Sequence, residues 1–251
     1  MSVLLLDVDL GERVGAWFTG RDPDRPRPPV GVAGNLSHRR PHQPAVLADT
    51  RAEVGRRIGF APATWVTMHQ VHGAEVAVVD GDTPAGAELR GVDALVTAQP
   101  GRPLAVAVAD CVPVLLAGAG AVAAVHAGRR GVQDGVVAAA LDTLAGLGAG
   151  PETVRAAVGP AIGGCCYEVP EPMHAEVVAN EPAADATTTW GTPALDLPAA
   201  VDAQLRAAGV PTVRRTDGCT RCDPQQRWFS HRSDPGTGRQ FGLVVCAGAT
   251  S

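Results

Sequence analysis

The sequence contains no lysine; all 21 basic residues are arginine. That absence excludes a pyridoxal phosphate Schiff base, a lysine nucleophile and a P-loop lysine. Any phosphate site must therefore use arginine and backbone N–H groups. The six cysteines (111, 165, 166, 219, 222 and 246) are few for 251 residues. Adjacent Cys165 and Cys166 make an awkward disulfide pair, so a reduced, cytoplasmic protein is expected. The opening MSVLLLDVDLGER lacks a basic n-region and reaches an acid at Asp7, which makes a poor signal peptide. No apolar run attains membrane-spanning length without glycine-rich breaks. A net charge of −5 gives no electrostatic reason to bind nucleic acid.

What remains is a globular balance, 45% hydrophobic and 19% charged, with enough length to bury a substantial core. Residues 1–251 are expected to form one domain, and a monomer is the default because no long apolar stripe stands out. RDPDRPRPP (21–29) reads as a solvated loop. Strands are expected at 3–8, 14–19, 64–73, 74–80, 93–98, 104–109, 112–118, 121–127, 153–159 and 240–248, with another in VPTVRR. Helices are expected at 44–59, 131–150, 170–180 and 196–210, the last capped by Asp196. The stretch 181–194 reads as a loop. Strands outnumber helices and several are consecutive, which favours mixed sheets covered by helices over an alternating βαβ sheet.

Within LAVAVADCVPVLLAGAGAVAAVHAGRR (104–130) three reactive side chains interrupt an apolar run: Asp110, Cys111 and His126. His72, in HQVHG, sits at another strand end, where α/β enzymes keep their chemistry. His72, Cys111 and His126 form a reasonable zinc ligand field with one position open, which the fold would have to assemble. A half-buried cysteine with two structural histidines fits the same pattern. Asp110 adds weight to the chemical reading, since an acid among apolar residues needs a partner or a nearby cation; a surface aspartate capping a turn is the bland counterpart. Cys219 and Cys222 form a lone CxxC, half a zinc site, in what looks like a loop where a structural or accidental pairing outweighs a redox role. GPAIGGCCYEV (159–169), with the only tyrosine of the chain, reads as a tight loop after a strand, suited either to backbone approach to a ligand or to a purely structural turn.

Taken in order, HQVHG, DALVT, ADCVPVLLA, AAVHAGRRG, VGPAIGGCCYEV, LDLPAAVDAQL and CTRC…WFSHRSDPGTGRQFG resemble the YfiH family from about residue 14 to 246. Its members have been called polyphenol oxidases, laccase-domain proteins and purine nucleoside phosphorylases. The resemblance implies a four-layer α/β/β/α sandwich (an α+β fold with mixed sheets) and zinc on His72, Cys111 and His126, with copper as the alternative ion. Asp110 would join these three as the catalytic group, and Arg51, Asn35, Arg129 and Arg232 would bind substrate. The implied reaction is phosphorolysis of purine nucleosides, with adenosine deamination as a companion activity to which zinc-activated water leads directly. The chain departs from the family at Arg129, where a tryptophan is usual, at His231, where tyrosine is usual, and in the rewritten loop GRDPDRPRPPVGVAGNLS. Arginine at 129 can still stack on a base or take phosphate. A laccase would need a histidine-rich trinuclear cluster beside a blue-copper site, which seven scattered histidines do not supply. Two further readings stay open: a cysteine hydrolase built on Cys111 and His126, with Asp110 or Asn35 orienting, and a non-catalytic partner protein on the same fold.

Overall fold

Burial on both faces of a central sheet organises the molecule, and the alternation of side chains along two strands shows how. The computed structural model describes residues 3–21 and 34–247. Along the chain come β1 (Leu5–Asp7), β2 (Val14–Thr19), α1 (Pro44–Ile58), β3 (Thr67–His69), β4 (Val76–Val78), β5 (Glu88–Arg90) and β6 (Ala94–Thr97). Then follow β7 (Leu104–Val108), β8 (Val112–Gly118), β9 (Ala121–Ala127), α2 (Arg129–Gln133), α3 (Val136–Gly146), β10 (Arg155–Val158) and α4 (Glu171–Asn180). The chain closes with β11 (Asp185–Thr187), β12 (Pro193–Leu195), α5 (Leu197–Ala207), β13 (Thr212–Arg215) and β14 (Gln240–Cys246).

In β8, Val114 and Leu116 pack with α3 and α5 residues such as Val137, Leu141, Val201 and Leu205. Leu115 and Ala117 point the other way, against Val106, Phe18 and Val244. Period-2 alternation thus feeds two cores, and every residue of the strand is apolar because neither face meets water. The six-stranded sheet runs β13-β10-β8-β9-β6-β4 and the four-stranded sheet β1-β2-β14-β7. The outer face of the smaller sheet packs Ala105 and Leu243 on Val54 and Ile58 of α1. The result is the expected order, helix, sheet, sheet, helices, with parallel and antiparallel pairs mixed in the larger sheet.

Four elements differ from expectation, the first being β5, an unexpected strand that pairs parallel with β3. The helix expected at 131–150 is broken into α2 and α3, because Gly135 takes φ 84°, a left-handed turn no helix interior holds. The strand expected at 64–73 stops at His69; the Gln70 side chain then bonds both the N–H and C=O of Ala107, standing in for a strand pair. The stretch 181–194 is not a plain loop: β11 and the start of β12 pair antiparallel within it and its edge. This hairpin bears on the glycine-rich loop, since Thr189 N–H donates to Cys165 O and Leu195 N–H to Tyr167 O. Asp196 caps α5 as expected, accepting from Ala199 N–H at 2.9 Å. The loop read at 21–29 lies, beyond Arg21, outside the described residues. Among those residues no helix is long and apolar enough to cross a membrane.

Candidate metal centre

His126 and Cys111 reach one point because β8 and β9 are antiparallel neighbours. Register pairs Pro113 with His126 and Val112 with Ala127, so Cys111, just before β8, lies beside the end of β9. His126 shares the sheet-facing side of β9 with Val122 and Ala124 and is buried. His72 arrives from the loop between β3 and β4. The ligand atoms of His72, Cys111 and His126 all lie within 4.8 Å of one another. Cys111 Sγ is 3.8 Å from His72 Nε2, close to the ~3.5 Å separating sulfur and nitrogen ligands of tetrahedral zinc. The two imidazoles meet edge to face, centroids 4.8 Å apart. Gly128 permits this convergence: a Cβ there would stand 2.8 Å from His72 Cδ2 and 3.5 Å from Cys111 Sγ.

Asp93, which the sequence pattern does not single out, organises the trio. It is buried and accepts from His126 Nδ1–H at 2.7 Å. That bond leaves Nε2 as the free lone pair, the usual arrangement for a metal-binding histidine. Its carboxylate also accepts from the main-chain N–H groups of Val71, His72 and Gly73 at 3.1, 3.0 and 2.9 Å. They hold the His72 loop, where His72 itself sits at φ 63°, a conformation that costs a non-glycine residue about 1–3 kcal/mol. Asp110 is the neighbouring case, at φ 86°. Its carbonyl accepts from Ile162 N–H at 2.9 Å; its carboxylate accepts from Thr220 Oγ1–H at 2.5 Å and Arg232 N–H at 2.6 Å.

Withdrawal from solvent opposes ionisation of Cys111, but the charge of His126 and hydrogen bonds from both imidazoles outweigh it, and the thiol is held down at about 6. Burial likewise works against protonated His126, yet the Cys111 thiolate and Asp93 lift it to about 9. Without metal, then, a thiolate–imidazolium pair spans neutral pH. Iodoacetamide labelling of Cys111 in metal-free protein, followed on its peptide by mass spectrometry, is expected to be near its plateau at neutral pH and to fall only below pH about 6. An ordinary thiol would still be climbing at about 8.5. Saturating zinc should suppress labelling throughout; rapid labelling of the zinc-loaded protein would instead favour a free nucleophile.

Against the trio lies a cavity of about 400 Å³ with a strongly basic wall: Arg39, Arg40, Arg51 and Arg239, with His38 and His231 at its rim. Arg39 is neutralised by Glu88 at 2.6 Å. Arg51 spends its guanidinium on Leu36 O at 2.9 and 2.7 Å, and Arg239 on the carbonyls of Thr237 and Gly238. Both carry their charge on main-chain carbonyls rather than on a carboxylate. Burial, then Arg40, lowers Arg239 to about 10, still charged at neutral pH.

The remaining expected substrate residues fall elsewhere. Asn35 is buried behind this wall; its amide bonds Ser37 N–H, Ser37 O and Arg239 N–H, so it shapes the wall and does not face the cavity. Arg129 and Arg232 do not line this cavity; both neighbour Tyr167. Arg232 stacks 5.1 Å from the Tyr167 ring centroid, and Arg129 bonds Gln133 at 2.9 Å. Burial pushes the Tyr167 hydroxyl up, and the nearby Cys111 thiolate adds to it. His231 takes the place of the usual tyrosine at the cavity rim, not at the metal-ligand positions. Arg239 and Arg40 escape a reading of the sequence because the cavity joins loops far apart in the chain.

The family profile described as "Multi-copper polyphenol oxidoreductase laccase" matches residues 15–247. A purine nucleoside phosphorylase of Streptomyces coelicolor is 51% identical over 206 residues, spanning 80% of this chain and 83% of its own. One of Streptomyces griseus is 49% identical over 203 residues, spanning 80% and 82%. Among solved structures, YlmD of Geobacillus stearothermophilus superposes with a TM-score of 0.83 at 30% identity over 94% of this chain and 93% of its own. YfiH of Bacillus licheniformis gives 0.84 at 27% identity over 96% of both chains. The layered sheets, the converging trio and these similarities agree, and the chain is a member of the laccase-domain YfiH family.

Proposed function

We propose that the protein is a zinc-dependent purine nucleoside phosphorylase acting in the cytoplasm, with zinc held by His72, Cys111 and His126. The observation that carries this reading is a cavity in which carbonyl-anchored arginines face the metal-ligand trio. Such a wall suits a doubly charged anion, and relatives at 51% and 49% identity are named for the same activity. Zinc bound there would supply a Lewis acid and a fixed positive charge beside the substrate.

In this scheme Arg239, with Arg40 and Arg51, holds phosphate, and Arg129 and Arg232, beside Tyr167, hold the nucleoside against it. Phosphate forms a bond to ribose C1 as the bond from C1 to the purine nitrogen breaks. The proton lost by phosphate is passed to the departing base, and Asp110, fixed by Thr220 and Arg232, carries it. Adenosine deamination is proposed as a companion activity, in which water adds at C6 of adenine and ammonia leaves, giving inosine.

Laccase chemistry is the weaker reading. All seven histidines lie among the described residues, and the trio is the one group of three or more convergent ligands there that contains histidine. A trinuclear copper cluster therefore lacks its ligands. Chromatography of products from adenosine, inosine or guanosine with phosphate is expected to show free base and ribose 1-phosphate. Arg239→Gln should raise KM for phosphate ~10–100-fold, since a charge-assisted hydrogen bond is worth about 1.5–3 kcal/mol. Asp110→Asn should lower kcat ~10²–10⁴-fold with KM little changed. No phosphate-dependent release of base from any of the three nucleosides would overturn the proposal.

A further inference from the structure

Four of the five cysteines left over from the first centre converge at one place. Cys165 and Cys166, in the glycine-rich loop after β10, meet Cys219 and Cys222 of the CxxC loop before β14. All four sulfurs lie within 4.8 Å of one another, and each thiol is unbridged. The Cys165–Cys222 separation is 3.7 Å, against the ~3.8 Å edge of a tetrahedron of sulfurs about 2.3 Å from zinc. The missing half of the CxxC site is thus the upstream vicinal pair, Cys165 lying 57 positions before Cys222.

The surroundings hold the sulfurs in place. The Gly163 main-chain N–H is directed at Cys219 Sγ at 3.3 Å, the kind of outer donor that orients a metal-binding sulfur. The two loops are already stitched together, since Ala161 and Cys219 form a parallel bridge, Thr220 N–H donates to Ala161 O, and Arg221 donates to Cys166 O at 3.0 Å. Gly164 must be glycine for the loop to fold down, because a Cβ would meet Ala186 Cβ at 2.5 Å. Three of the four sulfurs belong to buried or half-buried residues, and only Cys222 is exposed. Soft thiolates in a four-sulfur field select zinc or iron over hard cations.

We infer that Cys165, Cys166, Cys219 and Cys222 hold a second, structural zinc ion, separate from the one at His72, Cys111 and His126. A closed four-sulfur site has no open position, so its role is mechanical. Cys219 precedes Thr220, whose hydroxyl grips Asp110 at 2.5 Å. The ion therefore pins the loop that positions Asp110, at the edge of the first centre.

The test uses the full chain carrying His72→Ala together with Cys111→Ser, which empties the first centre and leaves the four cysteines intact. Metal analysis of this variant is expected to return about one equivalent of zinc where the wild type returns about two. Cobalt titration should give intense tetrahedral d–d absorption with strong thiolate-to-cobalt charge transfer. Adding Cys219→Ser should abolish both, and if that protein fails to fold, the measurement on the parent variant decides alone. A parent variant that holds no zinc and gives no tetrathiolate cobalt spectrum overturns the inference. So does thiol counting that finds these cysteines oxidised in pairs. Neither readout depends on phosphorolysis, so the inference stands or falls apart from the proposed reaction.

Discussion

Cys111→Ser is expected to strip zinc from the first centre and slow phosphorolysis at least ~10³-fold, about 4 kcal/mol of barrier. The hydroxyl of serine does not ionise near neutral pH and is a poor ligand for a borderline-soft ion. The substitution is nearly isosteric and its site partly exposed, so the metal-free fold should survive it. Loss of activity with a near-unchanged unfolding transition of the metal-free protein would mark the effect as chemical. His126 should respond in step, because the Cys111 thiolate is the main charge that lifts it to about 9. The imidazole of the variant should titrate well below that value by NMR. Zinc-free Cys111→Ser protein that turns over at the wild-type rate would end the assignment of the centre.

Asp93→Ala should have the largest effect on the fold. The side chain is fully buried and accepts four hydrogen bonds, from Val71, His72, Gly73 and His126. Removing it leaves three main-chain donors and a buried imidazole without their acceptor, a loss of about 3–5 kcal/mol by analogy with a broken buried pair. Zinc affinity should fall ~10–100-fold as the His126 tautomer is freed. Burial pulls the Asp93 carboxyl upward, but His126 and the main-chain donors prevail and hold it below its ordinary value. Its contribution is therefore complete above the unfolded pKa and is lost as pH falls through the folded one. Urea unfolding at neutral and acid pH should show the wild type losing that margin in acid while Asp93→Ala has none to lose. Equal urea midpoints at neutral pH, with equal zinc affinity, would show that Asp93 supports neither the loop nor the metal ligand.

Which parts were legible in the sequence follows from how far apart the cooperating residues lie. The run from Val114 to Ala117 announces a strand buried on both faces, since alternating and continuous apolar patterns report local geometry. Asp110, Cys111 and His126 stand out because polar groups interrupt that pattern. Asp93 does not: at the start of the strand expected over 93–98 it interrupts no apolar run, and its partner His126 is 33 positions away. Asn35 misled for the same reason, since its amide is consumed by Ser37 and Arg239, contacts no local pattern reveals. The break between α2 and α3 had a signal in the Asp134–Gly135 pair, outweighed by the apolar run behind it. The CxxC pair is only half a site in the sequence because nothing in spacing joins Cys219 to Cys165.

The pairing of Pro113 with His126 carries one more consequence. A slip of β9 by a single residue would turn His126 toward the helices and drive Val125 into its place, because neighbours on a strand point to opposite faces. The same slip would bury an imidazole among aliphatic side chains. Misalignment is thus penalised by packing as well as by loss of the site. Core packing alone therefore fixes the register that sets His126 beside Cys111.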